Sequence, residues 1–165
     1  ISVRLVGSEM CIRDRHYPDL VSEMVEICKE EMEHFDMVHK KILERGFTMG
    51  FERKDPYVKD LSSYLKQNHD NSSRESHFVN QMLFAAMIEA RSCERFKILS
   101  QQLKDEDLKK FYRMLMKSEA RHFMTFLKFA KKYSSSIDVD ERWKLFLAFE
   151  AGLMKKYGKE QTMHG

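Results

Sequence analysis

Two Glu-x-x-His steps are the residues of this chain whose types and spacing could do chemistry. The first is Glu31 with His34, and the second is Glu119 with His122. Residues three apart lie on one face of an α-helix, so each step directs a carboxylate and an imidazole to the same point. Each face is otherwise apolar, where a lone carboxylate is costly unless something neutralises it. The two steps together therefore predict a shared cation.

A further carboxylate, Glu89, lies in the middle of another apolar stripe. Four-helix di-iron sites take Glu-x-x-His from two helices and a single Glu from each of two others. Such sites use hard carboxylates that can bridge two metals, with an imidazole on each metal. The candidate metal ligands are therefore Glu31, His34, Glu89, Glu119 and His122.

The spacing of Glu89 and Glu119 predicts a two-helix hairpin with both carboxylates at similar depth. Each arm then runs about fifteen residues from the turn, or ~22 Å of helix. Glu94 is an alternative to Glu89, five residues on and about 140° round the helix. Because Arg91 and Arg95 lie beside Glu94, we interpret it as one half of a structural ion pair. The choice between Glu89 and Glu94 stays open at this point.

Helical periodicity predicts an all-α fold. The predicted helices lie near residues 19–45, 57–67, 74–102, 106–133 and 138–157. Pro18 suits a first helical turn, and Gly46 suits the residue just past a helix end. In the last helix, the residues predicted to pack inward are Trp143, Phe146, Leu147 and Phe149.

Length and composition are those of one ordinary domain that can bury a core. The 165 residues include 29 Lys and Arg against 26 Asp and Glu, a net charge of +3, which is weak evidence for a polyanionic partner. No apolar run reaches the ~18 residues of a membrane-spanning helix, so no membrane partner is expected. The three cysteines have neither metal-binding nor disulfide spacing, which favours a reducing, cytoplasmic location.

Residues 1–15 differ in character from the rest of the chain. They read ISVRLVGSEMCIRDR, with neither helical nor strand periodicity and without the layout of a signal peptide. The string resembles translated sequencing-adapter read-through, so we interpret 1–15 as a non-native segment. Residues 16–165 are then the folded domain, and its native start is expected upstream of residue 16.

Basic side chains recur along the fourth predicted helix, from Lys109 to Lys132. Charge runs are most often solvated helix faces. Phosphate binding is the minority interpretation from the sequence alone.

Three segments carry a resemblance to a known family. They are EEMEHFDMVHKKILERG at 30–46, LFAAMIEARSCERF at 83–96 and SEARHF at 118–123. The chain from residue 16 onward resembles the bacterial tRNA hydroxylases that act on 2-methylthio-N6-isopentenyladenosine. IEARSCERF is the segment most specific to that family, whereas Glu-x-x-His pairs fit any ferritin-like protein.

The resemblance implies a ferritin-like four-helix bundle with an additional C-terminal helix and a non-haem di-iron site. It assigns the five candidate ligands named above by position. The family also has an earlier helix with a ligand Glu in a Cys-Glu context, and that helix is absent here. The chain therefore looks like an N-terminally truncated member that retains five of six ligands.

The resemblance further implies a reaction and its partners. Two Fe ions use O₂ to hydroxylate the isopentenyl group of the modified adenosine next to the anticodon. The partners are then tRNA, held by its anticodon stem-loop, and an electron donor such as ferredoxin or a reductase. Two alternatives remain: a rubrerythrin-like or ferritin-like peroxidase or iron oxidase, and an inactive helical fragment.

Overall fold

Every regular element in the part of the chain that the structure describes is an α-helix, as the periodicity predicts. The computed structural model describes residues 17–50, 55–68 and 73–157. The helices are α1 (Pro18–Glu44), α2 (Pro56–Asn68), α3 (Arg74–Gln102), α4 (Glu106–Lys132) and α5 (Val139–Tyr157). The chain divides into two units, residues 1–54 and residues 55–165. The predicted segment 1–15 lies outside the described residues.

Helix α1 is the described element of the first unit, and local chemistry sets both of its ends. Pro18 occupies the first turn, where its missing N–H costs nothing. At the other end Gly46 has a φ of +74°. The Gly46 N–H donates to the Leu43 carbonyl at 2.9 Å and the Phe47 N–H donates to the Ile42 carbonyl at 3.1 Å. This is the Schellman termination that Gly46 predicts.

Helices α3 and α4 of the second unit form an antiparallel hairpin. Asp105 caps α4 by accepting from the backbone N–H groups of Asp107 and Leu108 at 2.9 and 3.1 Å. Further along, the Phe96 and Tyr112 rings lie 5.6 Å apart. Residues late in α3 thus face residues early in α4. Two residues at equal distances from the turn therefore lie side by side.

Helices α2 and α5 complete the second unit and pack against one another. The Tyr64 and Phe149 rings stack with centroids 4.0 Å apart. The Tyr157 hydroxyl donates to Asp60 at 2.7 Å. Phe146 is fully buried and its ring lies 5.9 Å from that of Tyr64. The prediction for Leu147 is wrong: it is 42% exposed, because the buried face of α5 runs through Phe146 and Leu153 instead.

Glu75, at the start of α3, holds the connection between α4 and α5. Its carboxylate accepts from the backbone N–H groups of Ser135 and Ser136 at 2.5 and 2.8 Å. The Ser134 hydroxyl donates to it at 3.1 Å. These backbone N–H groups lower the pKa of Glu75 to about 2, since they favour the ionised carboxylate. The ionised form of Glu75 therefore holds the connection between α4 and α5 against the start of α3.

Glu75→Gln is expected to lower the melting temperature at neutral pH, because an amide accepts these hydrogen bonds less well than a carboxylate. The folded pKa lies below its ordinary value of 4.5, so the stabilisation is complete above the unfolded pKa. It is lost as the pH falls through about 2. Thermal unfolding of both proteins at several pH values should show their difference shrinking towards pH 2.

Glu106→Gln is the matched control, because the bonded partner of this exposed carboxylate is Lys109 on the same helix and no distant described segment depends on it. A melting-temperature loss as large as that of Glu75→Gln would contradict the role given to Glu75. So would a Glu75→Gln difference that stays constant across the acid range.

No described helix has an apolar stretch long enough to cross a membrane.

Candidate metal centre

The α3–α4 hairpin brings three of the five candidate ligands together. Glu89 comes from α3, and Glu119 and His122 come from α4. One ligand atom from each of the three lies within 4.8 Å of the others. Glu119 is 5% exposed and His122 is 1% exposed. The predicted hairpin is therefore present, with its two acidic side chains at the same depth.

The two ring nitrogens of His122 have different surroundings. Nδ1 lies 3.8 Å from Oε2 of Glu89. Nε2 lies 3.5 Å from the hydroxyl of Ser118, one turn earlier on α4. A hydroxyl beside one nitrogen holds the ring orientation and leaves the other nitrogen directed at the carboxylates. Nδ1 is therefore the nitrogen that could ligate a metal.

The chemistry of the donor set fits a divalent cation. Two carboxylates this close in a buried position repel each other when both are ionised. A cation between them offsets that repulsion, and the neutral imidazole adds a nitrogen donor. Carboxylate oxygens with an imidazole nitrogen suit iron, manganese and zinc. Glu89, Glu119 and His122 thus form a set that could hold a metal without further rearrangement of their helices.

Glu31 and His34 lie on α1, in the first unit. Oε1 of Glu31 is 3.3 Å from Nδ1 of His34. The Glu31 side chain is 29% exposed and the His34 side chain is 12% exposed. The predicted Glu-x-x-His step is therefore a real side-chain pair. Its membership of one centre with the residues of the second unit remains a prediction.

Glu94 makes the ion pair that its neighbours predict. It bonds to Arg91, and its side chain is 58% exposed. The Glu89 side chain, in contrast, is only 14% exposed and faces His122. The geometry of the second unit therefore favours Glu89 over Glu94 as the ligand on α3.

The sequence did not predict the polar cluster that Glu150 forms with Tyr57 and Arg91. Glu150 of α5 is 8% exposed, accepts from the Tyr57 hydroxyl at 3.1 Å and lies 3.4 Å from Nε of Arg91. Burial raises the pKa of Glu150, while Arg91 and Tyr57 oppose that shift. One sequence feature could have indicated this cluster: Glu150 lies on the apolar stripe of α5, between Phe146 and Leu153. The cluster ties α3 to α2 and α5.

Cys93 lies one turn beyond Glu89 on α3. Its Sγ is 3.5 Å from the Met116 carbonyl on α4, and burial raises the pKa of its thiol. The thiol thus stays protonated at neutral pH, which disfavours it as a metal ligand. Cys93 acts as a small, partly buried side chain between the two helices of the hairpin.

Comparison with known proteins decides the family. The model of the family described as tRNA-(MS[2]IO[6]A)-hydroxylase (MiaE) matches residues 7–165. The chain belongs to this family. The tRNA 2-(methylsulfanyl)-N(6)-isopentenyladenosine(37) hydroxylase of Salmonella typhimurium is 34% identical over 148 residues, which are 88% of this chain. The enzyme of the same name from Pseudomonas putida is 32% identical over 146 residues, again 88% of this chain.

The chain is shorter than these hydroxylases. It spans about half of the Salmonella relative, 51%, and 68% of the Pseudomonas relative. A solved structure also resembles this hydroxylase-family chain: protein 43 with aldehyde deformylating oxygenase activity from Synechococcus. The two share a TM-score of 0.83 and 26% identity, over 97% of this chain and 79% of that one. This likeness, with the helical elements, confirms the predicted all-α, ferritin-like fold class.

Proposed function

We propose that this chain hydroxylates the isopentenyl group of 2-methylthio-N6-isopentenyladenosine in tRNA, with O₂ as co-substrate and a non-haem di-iron centre. Membership of a hydroxylase family supports the reaction. The observation that carries the proposal is the meeting of Glu89, Glu119 and His122 within 4.8 Å at the centre of the α3–α4 hairpin. A buried set of carboxylate and imidazole donors is what an oxygen-using iron site requires.

In this proposal the ligands are the five residues predicted from the sequence. They are Glu89, Glu119 and His122, which lie together in the second unit, and Glu31 with His34 of α1. When bound, the iron supplies the redox chemistry that lets O₂ react with a C–H bond. Three carboxylates offset three of the four positive charges on two divalent ions. A further carboxylate would balance the charge, and the resemblance implies that an upstream helix supplies it.

The side chains of this chain position and shield the reaction. Glu119 and His122 are nearly inaccessible to solvent, so their donor atoms would hold a metal in an environment that excludes most water. The Ser118 hydroxyl holds the ring of His122 and fixes the nitrogen that faces Glu89. Such supporting contacts keep ligands in place through changes at the metal.

The proposed reaction also defines the partners. One oxygen atom of O₂ enters the isopentenyl C–H bond and the other leaves as water, which requires electrons and protons from outside. A ferredoxin or a reductase is the proposed donor, and the anticodon stem-loop of tRNA is the proposed substrate. A cytoplasmic location is part of this proposal, because tRNA and such a donor would be met there.

Anaerobic loading with Fe(II), followed by turnover, tests the proposal. The purified chain is supplied with a reductant, O₂ and tRNA that carries the isopentenylated nucleoside. We expect bound iron and a nucleoside that gains one oxygen atom in mass spectrometry. The same protein treated with a chelator is the control and should leave the nucleoside unchanged. A longer chain with the upstream helix and its Glu should bind more iron and turn over faster.

The other outcomes separate the alternatives. Iron-dependent consumption of peroxide with unmodified tRNA, in both the short and the longer chain, would favour a peroxidase. Iron oxidation and storage without any RNA reaction would favour a ferritin-like oxidase. A short chain that binds no iron, beside a longer chain that hydroxylates, would make the short chain an inactive fragment.

A further inference from the structure

The solvent-facing side of α4 carries a continuous row of basic side chains. From Lys109 to Lys132 this helix has eight Lys and Arg residues and a single acidic residue, Glu119. Glu119 is buried, so it places no negative charge on the surface. We define the α4 stripe by its exposed members Lys110, Arg113, Lys117, Arg121 and Lys128, with Met114 and Met124 between them.

The spacing of the α4 stripe follows the helix repeat. At 3.6 residues per turn its members fall within an arc of about 100°. They extend from Lys110 to Lys128 over about 27 Å at 1.5 Å per residue. Glu119 lies about 180° from Lys110 on the same helix. One face of α4 therefore presents cations while the opposite face presents candidate metal ligands.

Three neighbouring members of the stripe make no close ion pair, and Glu106 acts on two of them, Lys110 and Arg113, only from beyond ion-pair distance. In the described part of the chain, no carboxylate lies within ion-pair distance of Lys110, Arg113 or Lys117. Together with Met114, their side chains line a shallow surface depression. Two other basic residues of α4 are paired: Lys109 bonds Glu106 at 2.6 Å and Lys131 bonds Asp140 at 2.6 Å. The first half of the stripe thus presents three cations that make no ion pair within the described part of the chain.

We infer that the α4 stripe binds the phosphate backbone of an RNA, which on the proposed function is the stem of the substrate tRNA. A row of cations without acidic residues fits a polyanion, because each neutralised phosphate releases condensed counter-ions. Protein–nucleic acid interfaces are much more positively charged than protein–protein interfaces. The cores of protein–protein interfaces, in contrast, are depleted in Lys.

The α4 stripe lies on the same helix as two of the candidate metal ligands, which connects it to the proposed function. Glu119 and His122 are on the same rigid helix as the stripe, so RNA bound along α4 is held at a fixed distance from these ligands. Phosphate contacts fix the register and orientation of a nucleic acid without reading its sequence. The α4 stripe would therefore position the anticodon arm, and other residues would select the modified base.

The test replaces Lys110, Arg113 and Lys117 with Gln in one variant, K110Q/R113Q/K117Q. Gln removes the charge and keeps a good helix former at exposed positions. The matched control is K97Q/K144Q/K155Q, which removes the same charge from exposed positions on α3 and α5. The metal-free proteins are titrated into a fluorescent anticodon stem-loop RNA, and anisotropy gives Kd between about 50 and 200 mM salt.

We expect the stripe variant to bind about tenfold more weakly or worse at low salt. The slope of the logarithm of its association constant against the logarithm of the salt concentration should be less steep by about 3. This is about one for each lost phosphate contact. The control variant should keep both the affinity and the slope of the wild type. An equal loss in both variants would overturn the inference, because net charge alone would then explain binding. Unchanged binding in the stripe variant would overturn it as well.

A further measurement separates RNA from an acidic protein partner. If the stripe variant binds RNA normally but is reduced more slowly by a ferredoxin, the surface serves the electron donor and the inference is wrong. Because binding is measured without metal, its result does not depend on hydroxylation. Loss of RNA binding in the stripe variant, beside a wild type that leaves tRNA unmodified, would refute only the proposed function.

Discussion

Glu119→Gln is expected to abolish iron binding and hydroxylation together while leaving the helical fold intact. Glu119 is buried within 4.8 Å of donor atoms of Glu89 and His122, and an amide is a much poorer metal ligand than a carboxylate. Substitution of a residue that only supports a metal ligand typically lowers metal affinity or activity about 10–100-fold. Loss of a ligand itself should therefore lower iron affinity and hydroxylation by more than about 100-fold. Iron stoichiometry and nucleoside mass spectrometry measure the two effects.

The metal-free form of Glu119→Gln supplies an internal control. Gln has the size of Glu, and it removes one of two neighbouring negative charges, so the metal-free variant should melt at or above the wild-type temperature. Fe(II) should raise the melting temperature of the wild type and leave that of the variant unchanged, because only a ligand that binds the native state stabilises it. A variant that retains wild-type iron content would contradict the assignment of Glu119.

Glu89→Gln is expected to reduce iron binding and hydroxylation nearly as strongly as Glu119→Gln, whereas Glu94→Gln should change either by less than about twofold. The Glu89 side chain is 14% exposed and lies 3.8 Å from His122. The Glu94 side chain is 58% exposed and pairs with Arg91 on the solvent side. Exposed pairs of this kind contribute about 0–1 kcal/mol to stability.

The two variants control for each other, because they remove the same charge from the same helix. Iron titration by fluorescence quenching and turnover with isopentenylated tRNA measure both properties. If Glu94→Gln lost iron while Glu89→Gln kept it, the ligand on α3 would be Glu94 and not Glu89. Equal, small effects of both substitutions would place the α3 ligand elsewhere.

The helices and their ends could be read from the sequence because they depend on neighbours in the chain. Pro18 begins α1 and Gly46 follows its end, as predicted. Asp105 caps α4 through N–H groups two and three residues away. Each feature needs only local backbone geometry, which a few consecutive residues fix. The predicted bounds therefore agree with the observed helices to within one or two residues.

Only part of the candidate site could be predicted from the sequence. The Glu-x-x-His spacing places two ligands on one helical face whatever the helix packs against. That Glu89 lies level with Glu119 follows from the nearly equal lengths of the two arms of the hairpin. The orientation of the His122 ring does not follow, because it depends on the Ser118 hydroxyl and the facing carboxylate.

The sequence alone determined the helices, their caps and the Glu/His faces of this protein, because all of these repeat with the period of the helix. Tertiary structure decided the partners that are distant along the chain. Glu150 meets Tyr57 across 93 positions, and Glu75 meets Ser135 across 60. Packing also turned Leu147 outward and placed Glu89 beside His122. Hydrophobicity gives each helix an inner face, but only the packed neighbours determine which polar group can be satisfied there.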